Sequence, residues 1–448
     1  MQDLVLKNVS HLTPALIALG IFILTYSLVI VEEFTHLRKS KPMVLGAGII
    51  WLLVAWIAQQ HNLSSIADNA IRHNFLDYAE LLLFIIVAMT YINVLENRNI
   101  FEVLRCQLVR MKITYKQLFW ITGILGFFIS GIADNLTTAL VMCAVILALG
   151  KENPKFVSLA CINLVVAVNA GGAFSPFGDI TTLMVWQKGI LPFSDFFKLF
   201  LPSVINFIIP AFCMVLAVPK GYPQPLKTYV KTGFGAKRMV ILFLLTIATA
   251  VIVHNYFHLP PVIGMMFGLG YLQMFGYYVK TKSLKLKNEK KEENAFNFFE
   301  HIQKIDWDTL LFFYGVILSI GGLATLGYLE TISTTLYSEW GKNLAVPFQQ
   351  TPANIMVGLL SAIVDNIPVM FAVLTMDPTM SKGQWLLVTL TAGVGGSLLS
   401  VGSAAGVALM GQAKGAYTFF SHLKWTWAIA LGYAASIAFH LWWNQSLF

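Results

Sequence analysis

Two Asp-Asn pairs stand inside long apolar stretches of this 448-residue chain: Asp134-Asn135 in SGIADNLTTALVM and Asp365-Asn366 in SAIVDNIPVM. A third carboxylate, Asp179, ends the run NAGGAFSPFGD. The side chains around them present oxygen almost without exception. Ser130, Thr137 and Thr138 flank the first pair, Asn169, Ser175, Thr181 and Thr182 surround Asp179, and Ser361, Ser400 and Ser403 lie near the second pair. No Lys, Arg, His or Cys occurs among these residues. Hard oxygen ligands carrying carboxylate charge suit a hard cation. Na⁺ or Li⁺ fits, whereas an anion would meet three negative charges. The same carboxyls take protons, because burial disfavours their ionised form and a bound cation favours it. One location therefore holds a cation or a proton. A carrier that moves only when occupied would exchange them, with Na⁺ expected at Asp134, Asp365 and Asp179 and with Asn135 and Asn366 beside them.

Capping is the plain alternative, since a lone Asp-Asn pair can accept hydrogen bonds from the free amides of a helix start. Ser or Asn would do that without charge. An Asp near the middle of a membrane helix costs about 2.5–3.5 kcal/mol, so three together cost roughly 7–10 kcal/mol. Recurrence of Asp-Asn in both halves of the chain weighs against capping alone.

The elements that must position these groups belong to a membrane protein. The chain is 57% hydrophobic and 12% charged, with a mean hydropathy of +0.70, far from a soluble composition. Spans of roughly 20 apolar residues are expected at 14–31, 43–59, 78–95, 196–218, 238–256, 259–279, 308–327 and 425–443. Four further apolar segments are interrupted. Residues 117–149 and 353–376 are split by Asp-Asn, and 156–188 and 383–414 by NAGGAFSPFGD and AGVGGSLLSVG. SGIADN lies over SAIVDN, and GGAFSPFGD over GGSLLSVGS, in the same order in each half. Paired interruptions of this kind point to the binding site of a transporter.

The expected fold is an all-α polytopic membrane protein of two inverted repeats. Each repeat has five crossings, a re-entrant hairpin (117–149, 353–376) and a glycine-broken helix (156–188, 383–414). Repeat 1 comprises residues 1–42, its first span and inner loop, and 43–232; repeat 2 is 233–448. With both termini outside, only Lys7, Arg72, Lys188, Lys198, Lys342 and Lys382 of the 30 Lys and Arg fall outside, as the positive-inside rule requires. Lipid is the expected partner, and the net charge of +8 belongs to inner loops rather than to a nucleic-acid surface. The run AGVGGSLLSVG lacks the GK[ST] of a nucleotide loop.

Other features read as structural. Residues 14–31 form a retained span, preceded by Asp3 and Lys7 and followed by no small-residue cleavage site. Cys106, Cys143, Cys161 and Cys213 stand singly, without CxxC spacing. His254 and His258 are spaced i, i+4 beside Pro260 and Pro261, but without an acidic third ligand, and read as interfacial. Gly123/Gly126 and Gly264/Gly268 read as packing surfaces. The loop KTKSLKLKNEKKEENAFNFFEHIQK reads as a solvated inner loop rather than a lipid-headgroup site.

ADNLTTAL, NAGGAFSPFGDITTLMVW, SAIVDNIPVM, GSLLSVGSAAGVALMG and EEFTHLRKSKP together resemble the NhaD-type sodium/proton antiporters of the ion-transporter superfamily, over nearly the whole chain. The resemblance implies a homodimer with a scaffold domain and elevator-like movement of a transport domain in a bacterial inner membrane. It implies no cofactor beyond the transported Na⁺ or Li⁺ and H⁺. It also implies a proton-path role for His73 and Glu80. The absence of histidine between His73 and His254 departs from the family pattern. Competing functions are a sodium-coupled carboxylate symporter or arsenite-type exporter of the same superfamily, and an intramembrane aspartyl protease. The protease would require GxGD, whereas Asp179 follows Pro176-Phe177-Gly178.

Overall fold

A computed structural model of the chain describes residues 5–6, 9–35, 37–111, 113–150, 152–223, 230–287 and 297–448. Lys7 and parts of the basic stretches 220–238 and 280–304 lie outside the described residues. Among those described, helices are the only regular elements. In chain order the principal ones are α1 (Thr13–Ile30), α2 (Ser40–Gln60), α3 (Ser64–Asn97), α4 (Ile100–Arg110), α5 (Tyr115–Ser130), α6 (Asn135–Gly150), α7 (Pro154–Gly172), α8 (Ile180–Gln187) and α9 (Phe200–Val215). They continue as α10 (Ala236–Phe257), α11 (Pro261–Lys287), α12 (Trp307–Thr325), α13 (Thr351–Ser361), α14 (Asn366–Met376), α15 (Lys382–Gly395), α16 (Ala404–Ala413) and α17 (Thr426–Trp443). Among the described residues eight helices are long and apolar enough to cross a membrane, so the chain is a polytopic membrane protein.

Each interrupted apolar segment forms two helices. The Asp-Asn segments break between α5 and α6 and between α13 and α14. The glycine-rich segments break between α7 and α8 and between α15 and α16. One element is longer than its apolar run suggests: α3 spans 34 residues from Ser64. Its first turns carry Asp68, Arg72, His73 and Asp77, so no apolar-length rule could find them. The amphipathic α4 and the short helices Tyr328–Ser333 and Val346–Phe348 escape the same rule.

The two halves make matching contacts. A methyl carbon added at Gly46 would meet the Thr25 side chain, and one at Gly268 would meet that of Thr246. Glycine thus lets α1 approach α2, and α10 approach α11, as the packing reading of Gly264/Gly268 requires. Tyr91 Oη on α3 donates to Gly268 O on α11 (2.8 Å), and Trp51 Nε1 on α2 donates to Leu318 O on α12 (2.8 Å). Ser130 Oγ at the end of α5 donates to Val168 O on α7 (2.6 Å). Ser361 Oγ, in the equivalent place on α13, donates to Ala392 O on α15 (2.8 Å). In addition, α8 packs on α14 and α16 packs on α6, so the piece after each glycine-rich break leans on the piece after the other half's Asp-Asn break.

Backbone freed at a break needs partners. His422, buried before α17, bonds Ser397 O through Nε2 (2.9 Å) and meets Tyr417 Oη at Nδ1 (2.8 Å). Since the carbonyl can only accept, Nε2 carries the proton and Nδ1 accepts from the tyrosine. Thr426 Oγ1 donates to the neighbouring Leu398 O (2.9 Å).

The breaks also need bare backbone. A Cβ at Gly171 would lie 2.0 Å from Phe127 O, and one at Gly395 would lie 2.0 Å from Gly358 O. Gly395→Ala is therefore expected to lower the thermal midpoint in detergent strongly or to prevent accumulation in the membrane. Gly48→Ala, with nothing within 4 Å of its added carbon, leaves the midpoint unchanged. Equal behaviour of the two variants in a thermal unfolding assay would contradict this account of the breaks.

Candidate functional site

Four helices begin at one place. Asp134 stands before α6, and its Oδ1 accepts from Thr137 N (2.9 Å). Asp179 is the cap of α8, with Oδ1 accepting from Thr181 N (2.9 Å) and Thr181 Oγ1 (3.0 Å). Ser403 caps α16 through Gly406 N (3.3 Å). Asp365 precedes α14 but makes no side-chain cap. Three of the four starts are thus capped, as the plain reading expected. Capping does not exhaust the carboxylates. Asp134 Oδ2 is buried without a hydrogen-bond partner, a costly state for a polar oxygen.

Asparagine side chains tie the starts together. Asn135 Nδ2 donates to Asp179 Oδ2 (3.0 Å) and to Asn169 Oδ1 (3.2 Å). Asn366 Nδ2 donates to Asp179 Oδ2 (3.0 Å) and Oδ1 (3.2 Å). Asn169 Nδ2 in turn donates to Ser403 Oγ (3.1 Å). Asp179 is therefore the hub, reached by amides from both Asp-Asn pairs. With their N–H groups so engaged, Asn135 and Asn366 keep carbonyl oxygens for another partner.

Asp134, Asn135, Asp179, Asp365 and Asn366 line one cavity of about 80 Å³. Phe84, Phe177, Phe243 and Phe313 contribute to its apolar wall. The first residues of all four short helices, Asn135, Ile180, Asn366 and Ala404, also line it. A water needs roughly 10–15 Å³ of such space, so the cavity has room for a small cation together with several waters. Among the described residues no three His, Cys, Asp or Glu side chains cluster closely enough to hold a metal ion by themselves. Amide and backbone oxygens would have to complete any coordination.

The remaining sequence candidates divide. Thr181 and Asn169 bond directly to the hub network, and Ser403 through Asn169. Ser130 and Ser361 spend their hydroxyls on neighbouring helices. Thr138 Oγ1 bonds Ala133 O (3.3 Å), and Thr182 Oγ1 bonds Ser175 O (2.8 Å) and Asp179 O (2.7 Å). Thr137 offers Asp134 its amide, and Ser175 Oγ accepts from Phe177 N (3.3 Å). Ser400 Oγ is buried without a hydrogen-bond partner. His73 and Glu80 lie away from this cavity. Asp77 links their surroundings, 3.9 Å from His73 and 2.7 Å from Lys188, and lines two other cavities, of about 30 Å³ with Glu80 and about 690 Å³ with His73.

One residue beside the carboxylates was absent from the sequence candidates. No cation stands near the carboxylates in sequence, but Lys39 reaches them in space. Its Nζ lies 3.6 Å from Asp365 Oδ2 and 4.5 Å from the centre of the Phe312 ring. Lys39 belongs to EEFTHLRKSKP, which drew attention as a motif without any role for its lysines. Composition held no signal for it, because a loop lysine reads as an inside charge. The four cysteines are free, although Cys143 and Cys161, read as single in the sequence, face each other with their sulfurs 3.9 Å apart. His254 meets Leu259 O (3.2 Å) and the Trp186 ring, not His258.

Residues 26–393 match the citrate transporter family. The chain is 55% identical to the Na(+)/H(+) antiporter NhaD of Vibrio cholerae, covering 98% of this chain and 94% of that protein. Against the NhaD of Alkalimonas amylolytica it is 52% identical over 96% of this chain and 91% of the relative. Against that of Vibrio parahaemolyticus the identity is 57%, over 89% and 98%.

The hub geometry makes a stability prediction. Asn135→Ala and Asn366→Ala each remove a hydrogen bond to a buried carboxylate and should each cost about 1.5–3 kcal/mol. Because both amides serve Asp179, the double variant should depart from additivity. A double-variant cycle on unfolding in detergent checks this, and strict additivity contradicts a shared hub.

Proposed function

The chain belongs to the citrate transporter family and, within it, to the NhaD-type sodium/proton antiporters; from that premise we propose that it exchanges Na⁺, and Li⁺ by the same chemistry, for H⁺. The observation that carries this reading is the single small cavity where Asp134, Asp179 and Asp365 meet Asn135 and Asn366, with Asp134 Oδ2 unpartnered.

In the proton-loaded state Asp134 holds its proton on Oδ2, while Oδ1 keeps its bond to Thr137 N. An arriving Na⁺ displaces that proton to solvent and takes Oδ2, with the free amide oxygens of Asn135 and Asn366 completing the shell. Asp179 supplies charge without leaving its hub bonds, so the frame holds its shape whichever ion is bound. Proton and cation therefore exclude each other at one oxygen. Asn169, Thr181 and Ser403 position the hub. Ser130, Ser361, Thr138, Thr182, Ser175 and Thr137 hold the breaks together, and Ser400 offers a further oxygen. His73 and Glu80 serve a proton path on the far side.

The matching contacts of the two halves support an inverted repeat dividing near residues 232 and 233, with re-entrant hairpins at the Asp-Asn breaks. Movement is elevator-like, and the protein works as a homodimer in a bacterial inner membrane, as the resemblance implies. Both termini face outside. In keeping with that side, Leu6 N bonds Thr325 O (2.8 Å) and Tyr328 Oη bonds Ser10 O (2.7 Å), joining stretches that the charge count puts outside.

Carriage of a carboxylate such as citrate is the rival named by the wider family. Its anion would face three carboxylates, and the nearby Lys39 is already paired with Asp365. Everted membrane vesicles holding a proton gradient should discharge it on addition of NaCl or LiCl and not of potassium citrate. Asp134→Asn should abolish that response while remaining in the membrane. Unimpaired exchange by the variant removes Asp134 from the site, and discharge by citrate alone favours the rival.

A further inference from the structure

A second cavity of about 270 Å³ adjoins the first, lined by Tyr26, Glu32, Arg38, Asp306 and Asp308. Lys39, Asp365, Leu136, Thr309 and Ala404 line both. These shared residues form the partition between an acidic antechamber and the ion cavity. Only two of them are charged, and they are paired with each other. We propose that the Lys39–Asp365 ion pair is the gate between the two spaces, with the Lys39 ammonium acting as a built-in competitor for the arriving cation.

The surroundings leave the ammonium little choice. Asp306 is engaged with Thr309 through its amide (3.3 Å) and hydroxyl (2.7 Å). Asp308 accepts from Ser40 Oγ. Glu32 accepts from the Lys39 backbone amide (3.3 Å), which anchors the lysine's main chain but not its head. Among the described residues Asp365 is the ammonium's only ion-pair partner. The Phe312 ring beneath it supplies a cation–π contact and a second resting place. The side chain is long and flexible, so its head can swing toward the antechamber while its main chain stays fixed.

Exchange of one cation for another keeps the partition neutral. The pair is largely but not fully buried, with Asp365 15% exposed, and removing one partner of such a pair leaves the other charge uncompensated, so Asp365 keeps the ammonium until Na⁺ replaces it. The lysine is charged throughout and transfers no proton in this scheme. It sets how much Na⁺ is needed to open the way, and it pushes Na⁺ off when the ion must leave toward this side. The structural signature is a competitor: removing the charge should strengthen apparent Na⁺ binding, whereas removing a merely structural lysine should not.

The inference rests on the exchange reading above, and the experiment separates the two. In everted vesicles, which present the antechamber side in the proposed orientation, the NaCl dependence of proton-gradient discharge gives KM and maximal rate. Wild type that shows no NaCl response removes the exchange reading. Given a wild-type response, Lys39→Gln should lower KM for Na⁺ at least threefold, with a lower maximal rate because release slows. Lys39→Arg, which keeps the charge and can grip a carboxylate with two donors, should hold KM at or above the wild-type value. Phe312→Leu loosens the ammonium's resting place without removing the charge. It should shift KM beyond the scatter of the wild type, and it decides the matter if Lys39→Gln does not reach the membrane. An unchanged or raised KM in Lys39→Gln, with only the rate reduced, overturns the gate, as does an unchanged KM in Phe312→Leu when it stands alone.

Discussion

A helix that stops inside a bilayer leaves amides and carbonyls with no water to receive them, and the arrangement of this protein follows from finding them partners. Among the described residues four helix breaks fall within apolar segments, two at Asp-Asn and two at glycine-rich runs. Carbonyls at or beside the breaks are met by hydroxyls and imidazole: Ser130 on Val168, Ser361 on Ala392, His422 on Ser397 and Thr426 on Leu398. Freed amides are met by Asp134, Asp179 and Ser403. Contacts at bare glycine let the breaks press together until these short bonds can form. The cavity is what remains between four helix ends once their backbone has been satisfied.

Much of this arrangement was legible in the sequence, for a physical reason. Lipid leaves polar residues nowhere neutral to go, so Asp134, Asp179 and Asp365 announce themselves against an apolar background. The paired breaks could be placed to within a few residues because Asp-Asn and the glycine runs interrupt otherwise continuous apolar segments. Lys39 was not legible, since a lysine at a loop edge is unremarkable until folding brings it 3.6 Å from Asp365. Nor could residue type tell which hydroxyls face the cavity and which serve the backbone. Ser130 and Ser403 look alike in a list of oxygen donors, yet one ties two helices and the other joins the asparagine network. The polar start of α3 was invisible because charge hides a helix from an apolar-length rule.

The two halves use one frame unequally. Asp179 and Ser403 hold the same position before α8 and α16, with nearly identical backbone angles (φ −140°, ψ 145° and φ −144°, ψ 147°). Both cap the following helix, so the capping task does not require charge. The charge at Asp179 has a separate effect: it recruits the amide hydrogens of Asn135 and Asn366, which turns their carbonyl oxygens toward other partners. A serine there has one oxygen in place of two, and Ser403 in the equivalent position accepts from a single asparagine, Asn169. The hub is thus a device for arranging neutral oxygens.

Helix direction sharpens the point. Four helix starts, each with partial positive charge, face one cavity, and such ends by themselves favour an anion. Three carboxylates at these starts reverse that preference, and the ammonium of Lys39 offsets one of them. What the cavity offers an incoming ion is therefore a balance set by few groups: helix ends and one lysine on the positive side, three acids on the negative. The electrostatic character of this cavity is thus set by the residues at the helix starts. Ser403 shows that an uncharged residue can cap a helix in the place where Asp179 stands, so each carboxylate adds a charge that the capping itself does not require.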